Sequence, residues 1–257
     1  MRELTEIAAG LDTAARTAEA TTQLEEPLTL EDAYRVQAAS MARRYERGEK
    51  RAGIKMGFTS RAKMAQMGID EMIWGRLTDQ MMIEDGGSID FSAYVHPRVE
   101  PEIAFVLKAP LAEKVTPAGA LAAVGGVAPA LEIIDSRYRD FKFSLTDVVA
   151  DNSSSSGFVV GPWADPGTDL SNLGMLLEID GAARQIGSSA AILGNPIRSL
   201  VAAARLAAGA GEPLQAGDIV MAGGATAAEH LAPGQHVRVT VQHLGRAEFT
   251  VGASDSD

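Results

Sequence analysis

Between Pro97 and Leu107 the chain reads Pro-Arg-Val-Glu-Pro-Glu-Ile-Ala-Phe-Val-Leu, an apolar run entered through two acids. In an extended strand, residues i and i+2 face the same way. Glu100 and Glu102 therefore stand side by side where a strand passes from solvent into a core. Like charges that close repel unless a cation, a proton or a basic group lies between them, or unless water bathes both. A fold built on this strand either leaves its entry solvated or supplies a counter-charge there. Two other apolar segments carry a single charge each. Ala52 to Phe58 reads as a strand containing Lys55, which either snorkels to the surface or is held at a functional site. Val127 to Ile134 is apolar apart from Glu132. Glu100, Glu102 and Glu132, if they converge, form an oxygen-donor set suited to a hard divalent cation, Mg²⁺ or Mn²⁺.

Zinc fits less well. There is no cysteine among the 257 residues, which also removes disulfides and thiol nucleophiles. The four histidines, His96, His230, His236 and His243, show no ligand spacing. A net charge of −11 argues against nucleic acid or an anionic membrane as partner. No apolar run has the length of a membrane span. The polar, charged N-terminus lacks a signal-peptide apolar region, so a cytoplasmic protein is expected. With 46% hydrophobic residues a substantial core is available.

In chain order, Leu4, Ile7, Ala8, Leu11 and Ala15 have helical spacing, and a second helix starts near Thr29 or Leu30 and runs to the charged stretch 43–50. This N-terminal helical pair, residues 1–50, has too little core to stand alone and is expected to pack on the main body, 51–252. Ser60 caps a helix over Arg61 to Met67. Ser88 to Phe91 is a short strand. Thr116 caps a helix from Pro117 to Val124, which Gly125-Gly126 breaks. Ser144 caps a helix to Ala150. Asp151 to Gly157 is a polar loop of small residues between apolar segments, hence a candidate binding loop. Asp180-Gly181 and Leu244-Gly245 mark hairpins. Asn195 caps a helix from Pro196 to Ala208, and Ile219 to Ala222 is a strand before Gly223-Gly224. Residues 253–257 form a frayed tail. Many short strands with segregated helices give an α+β class. No Walker A, dinucleotide fingerprint or Gly-x-Ser-x-Gly elbow is present.

Four stretches together carry a family resemblance. Gly53-Ile54-Lys55-Met56-Gly57-Phe58-Thr59-Ser60, Glu100-Pro101-Glu102, Pro129 to Arg137 and Asp151-Asn152-Ser153-Ser154 resemble, in order, the hydratase/decarboxylase branch of the fumarylacetoacetate hydrolase superfamily. The run Lys63 to Gly68, Ile134 to Tyr138 with Phe141-Lys142-Phe143, and Gly223-Gly224-Ala225-Thr226 point to the decarboxylase side of that branch. The resemblance implies a mixed β-sheet roll or barrel core with peripheral helices. It implies Glu100, Glu102 and Glu132 as Mg²⁺ ligands (Mn²⁺ as substitute) and Lys55 as the active-site lysine. It places Asp79 and the serine loop, Ser153, Ser154 and Ser155, at the substrate pocket. Arg98 and Arg137 are candidates to hold a substrate carboxylate, although Arg137 can equally serve a structural ion pair. The implied reaction is metal-dependent loss of CO2 from a dianionic 2-oxo acid of aromatic meta-cleavage catabolism. Hydration of a dienoate by the same site is the alternative, and a non-catalytic partner subunit of a hydratase–decarboxylase complex is a second. A homo-oligomer and a complex with a dienoate hydratase are the implied assemblies.

Two residues depart from the family pattern. Proline at 101 lacks a ladder donor, which predicts a strand edge or a bulge there. Asn195 stands where histidine is common, in a position expected to affect a loop.

Overall fold

The computed structural model describes residues 4–60, 64, 72–112 and 114–252. The helix expected over Arg61 to Met67, apart from Met64, and the tail 253–257 lie outside the described residues.

Two helices open the chain, α1 (Leu4–Thr17) and α2 (Leu30–Glu46). Ile7, Ala8, Leu11 and Ala14 form the buried stripe of α1, and Thr29 caps α2 by accepting from the Asp32 amide at 3.1 Å. Asp12, only 4% exposed, joins the helices by accepting from Arg43 at 3.0 Å and from Arg47 at 2.6 Å. The apolar faces do not close on themselves. They share one cluster with Ile73, Tyr138 and Val148 to Ala150 of the body. The body contains strands β1 (Arg51–Gly57), β2 (Ile73–Thr78), β3 (Met82–Ile83), β4 (Ser88–Ile89), β5 (Arg98–Leu107), β6 (Val124–Ile134), β7 (Ser155–Val160), β8 (Gly174–Ile179), β9 (Ala182–Ser188), β10 (Ile219–Met221), β11 (Glu229–His230), β12 (His236–Val241) and β13 (Gly245–Val251). Helices α3 (Pro117–Ala123), α4 (Leu145–Ala150) and α5 (Pro196–Gly209) intervene. Thr116, Ser144 and Asn195 cap them as the sequence predicts. Among the described residues, no helix is long and apolar enough to cross a membrane.

The strands form two sheets. The larger is mixed and runs β2-β1-β10-β5-β6-β7-β3, with β11 added to β5; the smaller runs β4-β13-β12-β8-β9. Ile54, Ile103, Phe105, Leu131, Ile133 and Val220 of the large sheet pack against Leu177, Val237, Val239 and Phe249 of the small one and against Leu200 and Ala203 of α5. The opposite face of the large sheet carries a second cluster, Leu77, Ala104, Ala130, Phe158, Ile219 and Met221, closed by Met41 of α2 and by Met81. The α+β class and the rolled mixed sheet are as expected.

Two local expectations are corrected. Gly125-Gly126 does not lie between the helix and the next strand: α3 ends at Ala123, β6 already starts at Val124, and its pairing with β5 skips Gly125 at a register shift before resuming at Gly126. Pro101 sits neither at an edge nor at a bulge. β5 is an inner strand, Pro101 pairs with Leu131, and the one register shift lies at Val106/Leu107. The reason is the direction of its nitrogen. In an antiparallel ladder a residue's N and C=O face the same neighbour. The Pro101 carbonyl accepts from the Ala225 amide at 2.9 Å, so its nitrogen faces the β10 side. There β10 has ended at Met221 and the Gly223-Gly224 turn has begun. No ladder bond is lost.

Candidate active site

Strand register brings the acids together. Glu100 and Glu102 share one face of β5, and Glu132 of β6 is the cross-strand partner of Glu100. Lys55 reaches the same face two strands away, since Lys55 pairs with Met221 and Met221 with Ala104. Glu102 and Glu132 are 0% exposed and Lys55 is 3% exposed. Lys55 Nζ lies 2.9 Å from Oε1 and 3.2 Å from Oε2 of Glu132. The solvated reading of the acids and the snorkelling reading of Lys55 are therefore both overturned. Apolar packing of this face by Ala104, Ala130 and Met221 draws the strand ends out of water, and the charges go with them.

Each of the three carboxylates offers one oxygen, and those atoms lie within 4.8 Å of one another. One Glu102 oxygen accepts from the Gly223 amide at 2.8 Å, while Oε1 is buried with no hydrogen-bond partner among the described residues. Burial, then the charges of Glu132 and Glu100, push the Glu102 carboxyl well above its ordinary range; Lys55 and the Gly223 amide pull the other way without prevailing. An unpaired buried carboxylate costs several kcal/mol. A hard divalent cation relieves the repulsion and fills the empty acceptor, so these residues fit one.

The turn after β10 is shaped for this cluster. Gly223 has φ +104°, and a Cβ there would lie 2.1 Å from Thr59 Oγ1. A Cβ on Gly224 would lie 2.6 Å from Glu100 Oε2. Only glycine lets the backbone approach the acids this closely.

Beside the acids lies a cavity of about 410 Å³ whose wall includes Lys55, Glu100, Arg98, Ser153 and Ser154 together with Phe58, Thr59, Ser60, Phe141, Phe143 and Val148. The serine turn is held by Asn152. Its side chain accepts from the Arg76 amide at 2.8 Å and donates to the Arg76 carbonyl at 2.9 Å. Ser153 donates to the Trp74 carbonyl at 2.8 Å. Asn152, Ser153 and Ser154 all have positive φ, 49°, 52° and 60°, which the fit against Gly75 over-determines: a Cβ on Gly75 would lie 2.4 Å from the Asn152 carbonyl oxygen. Ser154 Oγ is buried in the cavity wall with no hydrogen-bond partner among the described residues.

Three of the expected site residues stand elsewhere. Asp79 follows β2 at the far end from Gly75, the partner of Lys55, and its carboxylate accepts from the Lys50 amide at 2.9 Å. Arg137 is consumed by structure: its backbone amide bonds Asp151 at 2.9 Å, and its guanidinium bonds the Asp151 carboxylate, the Asp151 carbonyl and Ser156. Ser155 opens β7, opposite Ile134, and lies outside the cavity wall.

Other contributors were not singled out from sequence. Asp135, 3% exposed, accepts from the Val95 amide at 2.9 Å and the His96 amide at 2.5 Å, fixing the entry to β5. Gln37 of α2, 0% exposed, donates to the Val149 carbonyl at 2.7 Å and the Trp74 carbonyl at 3.2 Å, and accepts from Arg76 at 2.6 Å. A polar residue on the apolar stripe of α2 was the available signal for Gln37. Phe141 and Phe143 carried no signal beyond their resemblance.

Comparison with known proteins agrees with this geometry. Residues 55–252 match the model of the fumarylacetoacetate (FAA) hydrolase C-terminal family. The chain is 59% identical over 250 residues to 4-oxalocrotonate decarboxylase from a Pseudomonas species, covering 96% of this chain and 98% of that protein. It is 37% identical over 227 residues to 2-keto-4-pentenoate hydratase from Paraburkholderia xenovorans, covering 86% and 84%. Its fold superposes on 4-oxalocrotonate decarboxylase from Pseudomonas putida G7, complexed with magnesium and adipate, with TM-score 0.92, 39% identity and 97% of each chain covered.

Proposed function

The chain belongs to the fumarylacetoacetate hydrolase family, and from that premise we propose that it is a Mg²⁺-dependent carboxy-lyase converting 2-oxo-3-hexenedioate (4-oxalocrotonate) to 2-hydroxypenta-2,4-dienoate and CO2. The observation that carries the reading is the Glu100, Glu102, Glu132 triad with its unbonded Glu102 oxygen, set against Lys55 beside a cavity. A cation held by the three glutamates would supply Lewis acidity at the 2-oxo acid end of the substrate. Mn²⁺ suits the same donors.

The chain's own residues do the rest. As the bond to the distal carboxylate breaks, its electron pair moves through the conjugated system to the C2 oxygen, and CO2 leaves. The ammonium of Lys55, fixed by Glu132, presents positive charge where that oxygen becomes negative, and is placed to exchange a proton there. Phe58, Phe141, Phe143 and Val148 exclude water, which strengthens these electrostatic effects. Ser154, buried and unbonded, is placed to hydrogen-bond the substrate, with Ser153 tied to Trp74 beneath it.

Identity separates the two lyase outcomes: 59% to a decarboxylase against 37% to a hydratase. The decisive measurement follows 2-oxo-3-hexenedioate spectrophotometrically with Mg²⁺ and with EDTA, and identifies the product. Metal-dependent release of CO2 supports the reading. Hydration of the dienoate without CO2 release establishes the hydratase instead. Absence of both activities, with a hydratase depending on this chain for solubility, establishes a partner subunit. The proposal extends to a cytoplasmic homo-oligomer that associates with a dienoate hydratase, which co-elution of the two proteins tests.

A further inference from the structure

Among the described residues of the cavity, charge bookkeeping leaves one group without a counter-charge. Three glutamates, one lysine and one divalent cation sum to zero. Among the described residues that line the cavity, the cationic side chains are Lys55 and Arg98. Lys55 is already paired with Glu132. Arg98 forms no ion pair among the described residues, and its Nε is buried without a hydrogen-bond partner. Burial pushes its guanidinium below the ordinary value, Glu100 acting in the opposite direction. Asp140, the acid nearest in sequence on the neighbouring turn, has a side chain 68% exposed and stands 4.0 Å from Lys142.

Arg98 is nonetheless held in place. Its guanidinium carbon lies 3.7 Å from the centre of the Phe141 ring, and Phe141 is braced by Phe143 at 5.4 Å and by His96 at 6.4 Å between ring centres. The Asp135 carboxylate, by holding the Val95 and His96 amides, fixes the backbone just before it. A stacked guanidinium keeps its in-plane donors free for a carboxylate. Arg98 and Glu100 share one face of β5, two residues and therefore roughly 6.6 Å apart along the strand. The carboxyl carbons of an extended six-carbon diacid, five bonds of about 1.5 Å each foreshortened by the zigzag, are about 6 Å apart.

We infer that Arg98, stacked on Phe141, binds the distal carboxylate of the substrate and makes the site select dianionic over monoanionic 2-oxo acids. The inference rests on the decarboxylase reading for the identity of the substrate, and it assigns to Arg98 the role that Arg137, consumed by Asp151, does not fill. A monoanionic 2-oxo acid has no distal carboxylate to pair with Arg98, and a charge-assisted pair in this setting is worth about tenfold or more in affinity.

The test uses a matched pair that cannot be decarboxylated: 2-oxoadipate and 2-oxohexanoate, the same length and differing only at the far end. Calorimetry on the Mg²⁺-loaded protein is expected to give wild type at least about a tenfold preference for 2-oxoadipate. Arg98→Gln is expected to abolish the preference by weakening 2-oxoadipate alone, and Arg98→Lys to keep part of it. Phe141→Leu is expected to reduce it. Mg²⁺ affinity in each variant serves as the check on folding. Equal loss of both ligands in Arg98→Gln places the arginine at the metal end and overturns the inference, as does an unchanged preference. The two readings fail separately: wild type that prefers 2-oxoadipate but releases no CO2 defeats the decarboxylase assignment and leaves Arg98 as the carboxylate selector.

Discussion

Glu102 concentrates the chemistry of single residues. It is fully buried and crowded by Glu100 and Glu132, and its carboxyl is held above the ordinary range. Between its unfolded and folded pKa the native chain therefore carries the extra proton. Its stabilising contribution is present at low pH and is lost as pH rises through the folded value. Metal-free protein is expected to lose stability as pH climbs above the usual carboxylate range, and Mg²⁺ to remove that slope by replacing the proton; thermal melts across pH with Mg²⁺ or EDTA check this. Glu102→Ala is expected to abolish metal-dependent turnover while far-ultraviolet circular dichroism stays near wild type, and Glu102→Gln to be at least as stable as metal-free wild type at pH 8. Gly224→Ala forces a Cβ to within 2.6 Å of Glu100 and is expected to weaken Mg²⁺ binding by at least about tenfold, about 1.4 kcal/mol, with the fold retained.

At the scale of elements, β5 and its neighbours do the positioning. The same-face relation of Glu100 and Glu102 follows from strand geometry and was legible in sequence. That Glu132 would lie opposite Glu100 was not, because cross-strand register is set by the whole sheet. Pro101 shows the same limit: its missing donor was legible, but the side it faces depends on where β10 ends. Pro101→Ala is accordingly expected to change stability by no more than about 1 kcal/mol and to leave Mg²⁺ affinity intact. Gly75 is the opposite case. Gly75→Ala would drive the Asn152 backbone away from β2, at a cost of roughly 1–3 kcal/mol, and turnover should fall with the displaced serine turn while Mg²⁺ affinity holds. Denaturant titration and calorimetry separate the two effects. Asp79 was misplaced because position along β2 decides everything: Gly75 pairs with Lys55, while Asp79 lies past Thr78, which pairs with Arg51.

Across the whole molecule, the N-terminal helices brace the catalytic body. α1 and α2 share a cluster with Ile73, Tyr138 and Val149, and Gln37 ties α2 to both β2 and α4. Removal of residues 1–50 would expose that cluster and take from the Val149 carbonyl its Gln37 donor, at a cost of roughly 1–3 kcal/mol. We expect the truncated chain to be insoluble or to melt far below the full chain. For the intact chain, Mg²⁺ at a hundred times its dissociation constant is expected to add about 2.7 kcal/mol, a rise in Tm of roughly 5–10 °C.

By itself the sequence determined the element types, the start of α2 near Thr29, the helix caps at Thr116, Ser144 and Asn195, and the chemical character of the site, because periodicity, capping and donor type are local properties. Three acids and a lysine on apolar segments already implied charges that a core must neutralise. Tertiary structure decided which charges meet. Register placed Glu132 against Glu100 and Lys55 against Glu132, left Asp79 behind and consumed Arg137 in a structural pair. The physical reason is that side-chain convergence across strands depends on pairings between residues as far apart as 55 and 221, which no local pattern encodes. The two acids at the entry of β5 became a candidate metal site only when the sheet closed around them.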